Sequence, residues 1–135
     1  MMGKIDGNME AVTHGPDDLF IGNNEFASEV LSLAAATTAK DGYVLARNST
    51  SGKLEVADDV DGQHFILATR EELKNENASG GAAMDFYVRV CIAGKVKKSG
   101  VTVAGTALTA AQADSLRASG ILALDVTNIG KTDNL

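Results

Sequence analysis

The sequence has few of the residues from which catalytic and metal sites are usually built. Its 135 residues include one cysteine, two histidines and no tryptophan. A single cysteine excludes a disulfide within the chain, so the sequence permits a reducing compartment. His14 and His64 are far apart and give no ligand pair at zinc-finger spacing. We therefore predict no metal site and no bound cofactor.

Motifs for catalysis are absent as well. The chain has no Gly-x-Ser-x-Gly elbow, no Walker loop and no Gly-x-Gly-x-x-Gly fingerprint. Cys91 lies in an apolar run, where we expect it to pack as a small hydrophobic residue. Residues 58–62 are acidic, but Ala57 and Ala68 occupy positions where an EF-hand needs oxygen ligands. The sequence thus predicts no catalytic residues and a protein that is not an enzyme.

Positive charge and long apolar segments are also scarce. Lysine and arginine number 12 against 18 acidic residues, which gives a net charge of −6. Nucleic-acid-binding proteins carry basic patches that offset phosphate charge, so we expect no nucleic-acid partner. Residues 1–10 contain no apolar segment long enough for a signal peptide or a membrane span. We therefore expect a soluble protein that is made inside a cell and has no membrane partner.

Short apolar or alternating runs, separated by turn residues, make up most of the chain. A hydrophobic content of 44% indicates a globular protein, and the length suggests one domain. Six or seven strands are predicted, from residues 30–33, 42–47, 53–56, 64–69, 84–96, 101–103 and 121–124. The predicted fold class is α+β, mostly β, in a small compact domain with one short helix near the C-terminus.

That helix is the clearest local signal in the sequence. Thr109 and Gln112 have the spacing of a capping box, and residues 110–118 are good helix formers. Gly120 stands where a left-handed residue would end the helix. The apolar run at residues 121–124 follows immediately, so the helix is expected to lead directly into a strand.

The N-terminal residues have a different character. Residues 1–28 are predicted to form an extended arm, and residues 29–135 to form the folded domain. The arm contains four large apolar residues in its otherwise polar sequence, namely Leu19, Phe20, Ile21 and Phe26. They can dock on a partner or pack against the domain's own core, and the pattern alone leaves both alternatives open.

The order of these segments resembles that of the head decoration, or capsid-stabilising, proteins of tailed bacteriophages, the family of the phage lambda decoration protein. The resemblance covers about residues 30–126. It is carried by Gly42-Tyr43-Val44-Leu45-Ala46-Arg47, Ser51-Gly52-Lys53-Leu54, Asp61-Gly62, Ile66-Leu67-Ala68, Val88-Arg89-Val90, Gly94-Lys95-Val96 and the segment from Ala113 to Ile121. The order and spacing carry the likeness, since no single motif in it is specific.

The resemblance implies a structural virion protein with a β-tulip-like domain. Such a protein would bind the outer surface of an expanded icosahedral phage head as a homotrimer, after synthesis in the host cytoplasm. Its N-terminal arm would dock on the major capsid protein, through Leu19, Phe20, Ile21 and Phe26. Deleting residues 1–26 is then expected to abolish capsid binding and leave the domain folded.

Two other classes of function stay open. A free-standing β-rich adhesion or carbohydrate-binding module would display exposed aromatic residues, and Tyr43 and Tyr87 both fall in predicted strands, which weakens that case. A small hydrolase would have to use Cys91 or His64.

Overall fold

The computed structural model describes residues 19–60 and 62–125. Predictions about residues 1–18, which form most of the expected arm, therefore lie outside the described residues. The strands are β1 (Phe20–Leu33), β2 (Thr38–Ala39), β3 (Val44–Arg47), β4 (Leu54–Val56), β5 (His64–Leu67), β6 (Leu73–Lys74), β7 (Met84–Lys97), β8 (Thr102–Val103), β9 (Thr106–Ala107) and β10 (Ile121–Leu124). The helix α1 (Ala110–Leu116) continues into a 3₁₀ turn, Arg117–Ser119.

Five strands close into a ring. The main sheet has the order β1-β4-β3-β5-β7-β10, and β1 also pairs with β7. The β1–β7 pairing is antiparallel and extends from Phe20 opposite Val96 to Leu33 opposite Met84. β10 lies outside the ring and runs parallel to the end of β7. The predicted mostly-β, compact fold with one short helix near the C-terminus is confirmed.

Two hydrophobic cores lie on opposite faces of the ring wall. One core draws buried residues from all five ring strands, including Leu31, Leu45 and Val90, and therefore fills the inside of the ring. The other packs the outward faces of β3, β5 and β7 against α1 and β10, with Leu116 and Ile121 fully buried. Because both faces of β5 are covered, all four of its residues are buried, which explains its unbroken apolar sequence.

The local predictions agree with the structure. β3 and β4 form the predicted antiparallel hairpin, whose turn is held by the Asn48 side chain accepting from the main-chain N–H groups of Thr50 and Ser51. α1 begins with a complete capping box between Thr109 and Gln112. Gly120 has the predicted left-handed conformation, with φ of +83°.

The predicted start of the domain at residue 29 is not a structural boundary, because β1 extends across it. Phe20 and Phe26 lie within β1 and pack against the outer core. Gly22 and Asn24 interrupt the apolar alternation, which is why the segment reads as an arm. The structure accommodates this irregularity as a bulge, in which the residues between Ile21 and Glu25 oppose Gly94 alone.

Gly42 is the position where the fold depends most directly on glycine. Its φ is +91°, its N–H donates to the Leu67 carbonyl and its carbonyl accepts from Thr102 N–H. A Cβ atom at this position would overlap the main-chain carbonyl oxygen of Gly100. The Lys40–Tyr43 turn can therefore approach residues 98–100 only because position 42 has no side chain.

We expect Gly42→Ala to reduce the free energy of unfolding by about 3 kcal/mol or more, since it adds a main-chain clash to left-handed strain. The matched control is Gly52→Ala. Gly52 also has a positive φ, of +77°, but no atom lies within 4 Å of the added methyl group. The control should lose only about 1 to 2 kcal/mol. Equal losses in urea denaturation would show that the close contact with Gly100 contributes nothing.

Candidate functional site

An open cleft lies where the described chain begins. It has a volume of about 440 Å³ and sits between the first half of β1 and the segment that follows β5. We call it the Arg89 cleft, and its lining residues are Leu19, Phe20, Gly22, Asn24, Phe26, Asp41, Ala68, Thr69, Arg70 and Arg89. Three of the four predicted site residues, Leu19, Phe20 and Phe26, are therefore brought together here.

The aromatic residues of β1 form the apolar wall of the cleft. The rings of Phe20 and Phe26 meet edge to face, with centroids 5.2 Å apart and an interplanar angle of 78°. Leu19, Phe20 and Phe26 are all half-buried and pack against the outer core. The two alternatives for these residues are therefore compatible, because each residue packs on the domain and still lines the cleft. Ile21 is half-buried opposite Lys95 and does not line it.

Arg89 covers the face of Phe26. Its guanidinium carbon lies 3.8 Å from the ring centroid, within the range of a cation–π interaction. The contact is diagonal across the ribbon, since Ser28 is the residue directly opposite Arg89. Arg89 also lines the cleft, and it forms no ion pair with a carboxylate of the described residues.

Tyr87 extends this surface along β7. It stands two residues before Arg89 and therefore on the same face of the strand. Its side chain is 91% exposed, although it lies in the middle of a long, paired strand. The expectation that a strand position would hide Tyr87 is thus incorrect, because its side chain lies on the strand face opposite the buried Val88 and is open to solvent.

Asp41 supplies the acidic group of the cleft. Its carboxylate accepts a hydrogen bond of 3.0 Å from the main-chain N–H of Thr69. Partial burial raises the pKa of Asp41 above its usual value of 3.8, and the hydrogen bond from Thr69 opposes that change. Burial is the larger of the two effects, because it disfavours the charged form of the carboxylate.

The bulge in β1 fixes the back of the cleft. The Asn24 side chain crosses the open face of Gly94, and its amide donates to the Lys95 carbonyl at 2.9 Å. The same amide lies 3.5 Å from the sulfur of Cys91. Any side chain at position 94 would collide with Asn24. Gly94 therefore sets how closely β1 approaches β7, and with it the position of Phe26.

Cys91 and His64 occupy structural positions. Cys91 is fully buried, and its thiol donates to the Ala93 carbonyl. His64 is 1% exposed, with Nδ1 at 2.9 Å from the carbonyl oxygen of Gly62. The main-chain N–H of His64 donates to the Ser119 hydroxyl, which joins β5 to the end of the helical segment. These contacts give the hydrolase alternative no support, since neither side chain reaches a cleft.

A second cavity, of about 460 Å³, lies on another part of the surface. Its lining includes Thr37, Tyr43 and Ala104, and Glu55 is its only charged residue. Unlike the Arg89 cleft, it has no pair of aromatic rings beside a positively charged side chain, and none of the predicted site residues lines it. The Arg89 cleft is therefore the stronger candidate for a functional surface.

Several residues of the cleft could not be selected from the sequence. Arg89 and Tyr87 read as the solvent face of an alternating strand, and Asp41 and Arg70 read as loop residues. The only available signal was the strand alternation itself, which correctly put Tyr87 and Arg89 on the face opposite Val88 and Val90. It could not indicate which exposed residues meet across the fold.

Comparisons of the chain with protein-family models, with curated proteins and with solved structures found no match. Among the described residues, no group of three or more His, Cys, Asp or Glu side chains could hold a metal ion. None of the helices in residues 19–60 and 62–125 is long and apolar enough to cross a membrane.

The raised pKa of Asp41 gives a pH-dependent prediction. Because Asp41 binds its proton more tightly in the folded state, protonation stabilises the fold, and this stabilisation is complete when the pH is below 3.8, the pKa of Asp41 in the unfolded chain. The stabilisation is lost as the pH rises through the higher pKa of Asp41 in the folded state. Asp41→Asn removes the ionisation and keeps an oxygen acceptor for Thr69. We therefore expect the stability of the variant, relative to wild type, to increase between about pH 3 and about pH 7.

Urea denaturation at the two pH values measures this difference. Asp41→Ala is the control, because it removes the acceptor and should lose the Thr69 hydrogen bond at both pH values. A difference between Asp41→Asn and wild type that does not change with pH would contradict the raised pKa.

Proposed function

We propose that this protein is a capsid decoration (cement) protein, which binds the outer surface of an expanded icosahedral phage head as a homotrimer and stabilises the shell. In this proposal its N-terminal segment docks on the major capsid protein. The observation that carries the proposal is the Arg89 cleft. It gathers Leu19, Phe20 and Phe26 with the exposed Arg89, at the point where the described chain begins.

The fold is suited to this role. A decoration protein acts as a rigid body that clamps neighbouring subunits, so it needs a stable core and exposed contact surfaces. Ring closure through β1 and β7 gives such a body, with one core inside the ring and one outside it. The two side chains with catalytic potential, Cys91 and His64, are buried in packing and main-chain contacts.

β1 also offers a way to bind an extended segment. Leu31 pairs with Leu54 of β4, but the part of β1 before Leu31 pairs only with β7 among the described strands. Main-chain groups on the other edge are therefore available to an added strand. This edge borders the same residues that line the Arg89 cleft, so side-chain and main-chain contacts can act on one partner segment.

Trimerisation makes weak contacts effective. Once one protomer of a trimer has bound a shell, the other two bind at high effective concentration. A protein that binds the assembled shell and has no affinity for free subunits stabilises the shell by mass action. No nucleic acid, membrane or cofactor takes part in this mechanism, and the site of action is the outer surface of the virion.

The proposal is tested by oligomeric state and by binding to shells. Light scattering should give three times the chain mass of 14.0 kDa, and the protein should co-sediment with expanded shells of the phage that encodes it. Deleting residues 1–18 should abolish co-sedimentation and leave the domain folded. A monomer that stays in the supernatant would overturn the proposal.

The shorter deletion replaces the one expected from the sequence. Removing residues 1–26 would take away the half of β1 that pairs with Ala93 to Val96 and would expose the outer core. Loss of shell binding in that variant would not separate unfolding from loss of a contact. Thermal unfolding of the 1–18 deletion should show that the β domain, residues 19–125, still unfolds cooperatively.

Exposure of Tyr87 favours a second candidate function. A carbohydrate-binding module stacks sugar rings on exposed aromatic side chains, and Tyr87 meets this requirement, with Arg89 beside it as a hydrogen-bond donor. The module would bind its ligand as a free-standing domain. The described residues of this protein include no second exposed aromatic ring, so a carbohydrate-binding module is the weaker alternative.

Tyr87→Ala separates the two candidates. If the protein is a carbohydrate-binding module, wild type should bind members of a glycan array, and the variant should lose about tenfold or more in affinity. If the protein decorates capsids, we expect no glycan binding by either form. Tyr43→Phe is the control, because Tyr43 is half-buried and should leave glycan binding unchanged.

A further inference from the structure

We propose that the Arg89 cleft binds an acidic peptide segment of a protein partner, with its carboxylate groups on Arg70 and Arg89 and an apolar side chain against Phe20 and Phe26. The inference rests on the proposed function, in which that partner is the outer surface of the capsid. It adds the chemistry of the contact, which neither the fold nor the resemblance specifies.

Two of the four arginines form ion pairs within the domain and two do not, and this difference favours an acidic partner for the second pair. Arg47 binds Glu29 through both guanidinium nitrogens, at 2.9 and 3.1 Å, and Arg117 lies 3.7 Å from Asp114. By contrast, Arg70 and Arg89 form no ion pair with a carboxylate of the described residues. The two arginines that line the cleft are thus the two whose charge remains available to a partner.

Arg89 is already positioned for a carboxylate. A guanidinium group presents a planar set of donors that matches the two oxygens of a carboxylate. The contact with Phe26 at 3.8 Å restricts the guanidinium group, so less conformational entropy is lost when a ligand binds. A main-chain hydrogen bond of 2.9 Å, from Ala68 to the Arg89 carbonyl, holds the segment that carries Arg70 beside the stack.

The charge around the cleft is mixed. Arg70 and Arg89 line it, and so does Asp41, which accepts a hydrogen bond from Thr69. Lys95 and Lys97 flank Val96, a buried residue of the outer core, and neither lysine lines the cleft. The whole chain has a net charge of −6, so an acidic partner is attracted only where the two arginines face it.

The shape of the cleft limits the ligand. A volume of about 440 Å³ suits a few side chains of a peptide, with one apolar wall and two cations. Asp41 places a carboxylate in the same cleft, bonded to Thr69. It disfavours a dense anion such as a phosphate chain, because one of the surrounding charges would be repulsive. Spaced carboxylates on an extended peptide can contact the arginines and avoid Asp41.

Charge reversal in the full-length protein tests the inference. Arg70→Glu and Arg89→Glu should each weaken binding to expanded shells about tenfold or more, since a repulsive charge replaces the attractive one. The matched control is Arg117→Glu, an exposed arginine on the helical segment outside the cleft, which should bind as wild type does. Arg89→Lys keeps the charge and loses the planar donors, so its loss should be intermediate.

The outcomes are separable. If wild type does not bind shells, the proposed function fails, and this inference fails with it. If wild type binds and both reversals bind equally well, the inference alone is overturned. Thermal unfolding of each variant identifies any loss that comes from misfolding, and Arg70→Glu carries little such risk because Arg70 is exposed outside a strand. Wild type is also tested with anionic vesicles and with DNA. If wild type binds one of these and Arg89→Glu does not, while Arg89→Glu still binds shells, the cleft is assigned to that ligand and the inference is overturned.

Discussion

The pairing of β1 with β7 is the interaction on which the rest of the structure depends. It closes the ring of strands, so that Leu31 and Val90 face a common interior and the opposite faces of β5 and β7 become available to a second core. The same pairing puts Phe26 diagonally opposite Arg89 and thereby creates the stack at the cleft. The core and the candidate site therefore both depend on this pairing, because the two strands that close the ring also carry Phe26 and Arg89 of the cleft.

Two glycines allow this arrangement. Gly94 lets Asn24 lie across β7, and Gly42 lets its turn pack directly on the main chain near Gly100. These contacts hold the two sides of the cleft, the β1 wall and the turn that carries Asp41. Local backbone freedom is thus used where two segments approach more closely than a side chain would allow. The separation of the two walls of the cleft therefore depends on the absence of side chains at positions 42 and 94.

The scarcity of chemically reactive residues agrees with a protein that acts by binding. Cys91 and His64 serve packing and main-chain bonding, while the exposed side chains include Tyr87, Arg70 and Arg89, and neither of these arginines forms an ion pair with a described carboxylate. Tyrosine, phenylalanine and arginine are enriched at protein interfaces, because they combine large contact area with directed hydrogen bonds. In the proposed function, such groups would supply the contacts with the capsid.

Local interactions determined the parts of this protein that could be predicted from its sequence. The capping box at Thr109, the turn after β3, the left-handed Gly120 and the alternation in β7 each depend on residues a few positions apart. The extent of β1, the ring closure and the cleft were decided only by tertiary structure. Asn24 meets Lys95 across a separation of 71 residues, and no local pattern encodes such a contact. Strand propensity was interrupted at Gly22, and only the edge of β7 made that irregular segment a strand, since pairing supplied the hydrogen bonds and burial that its own sequence lacked.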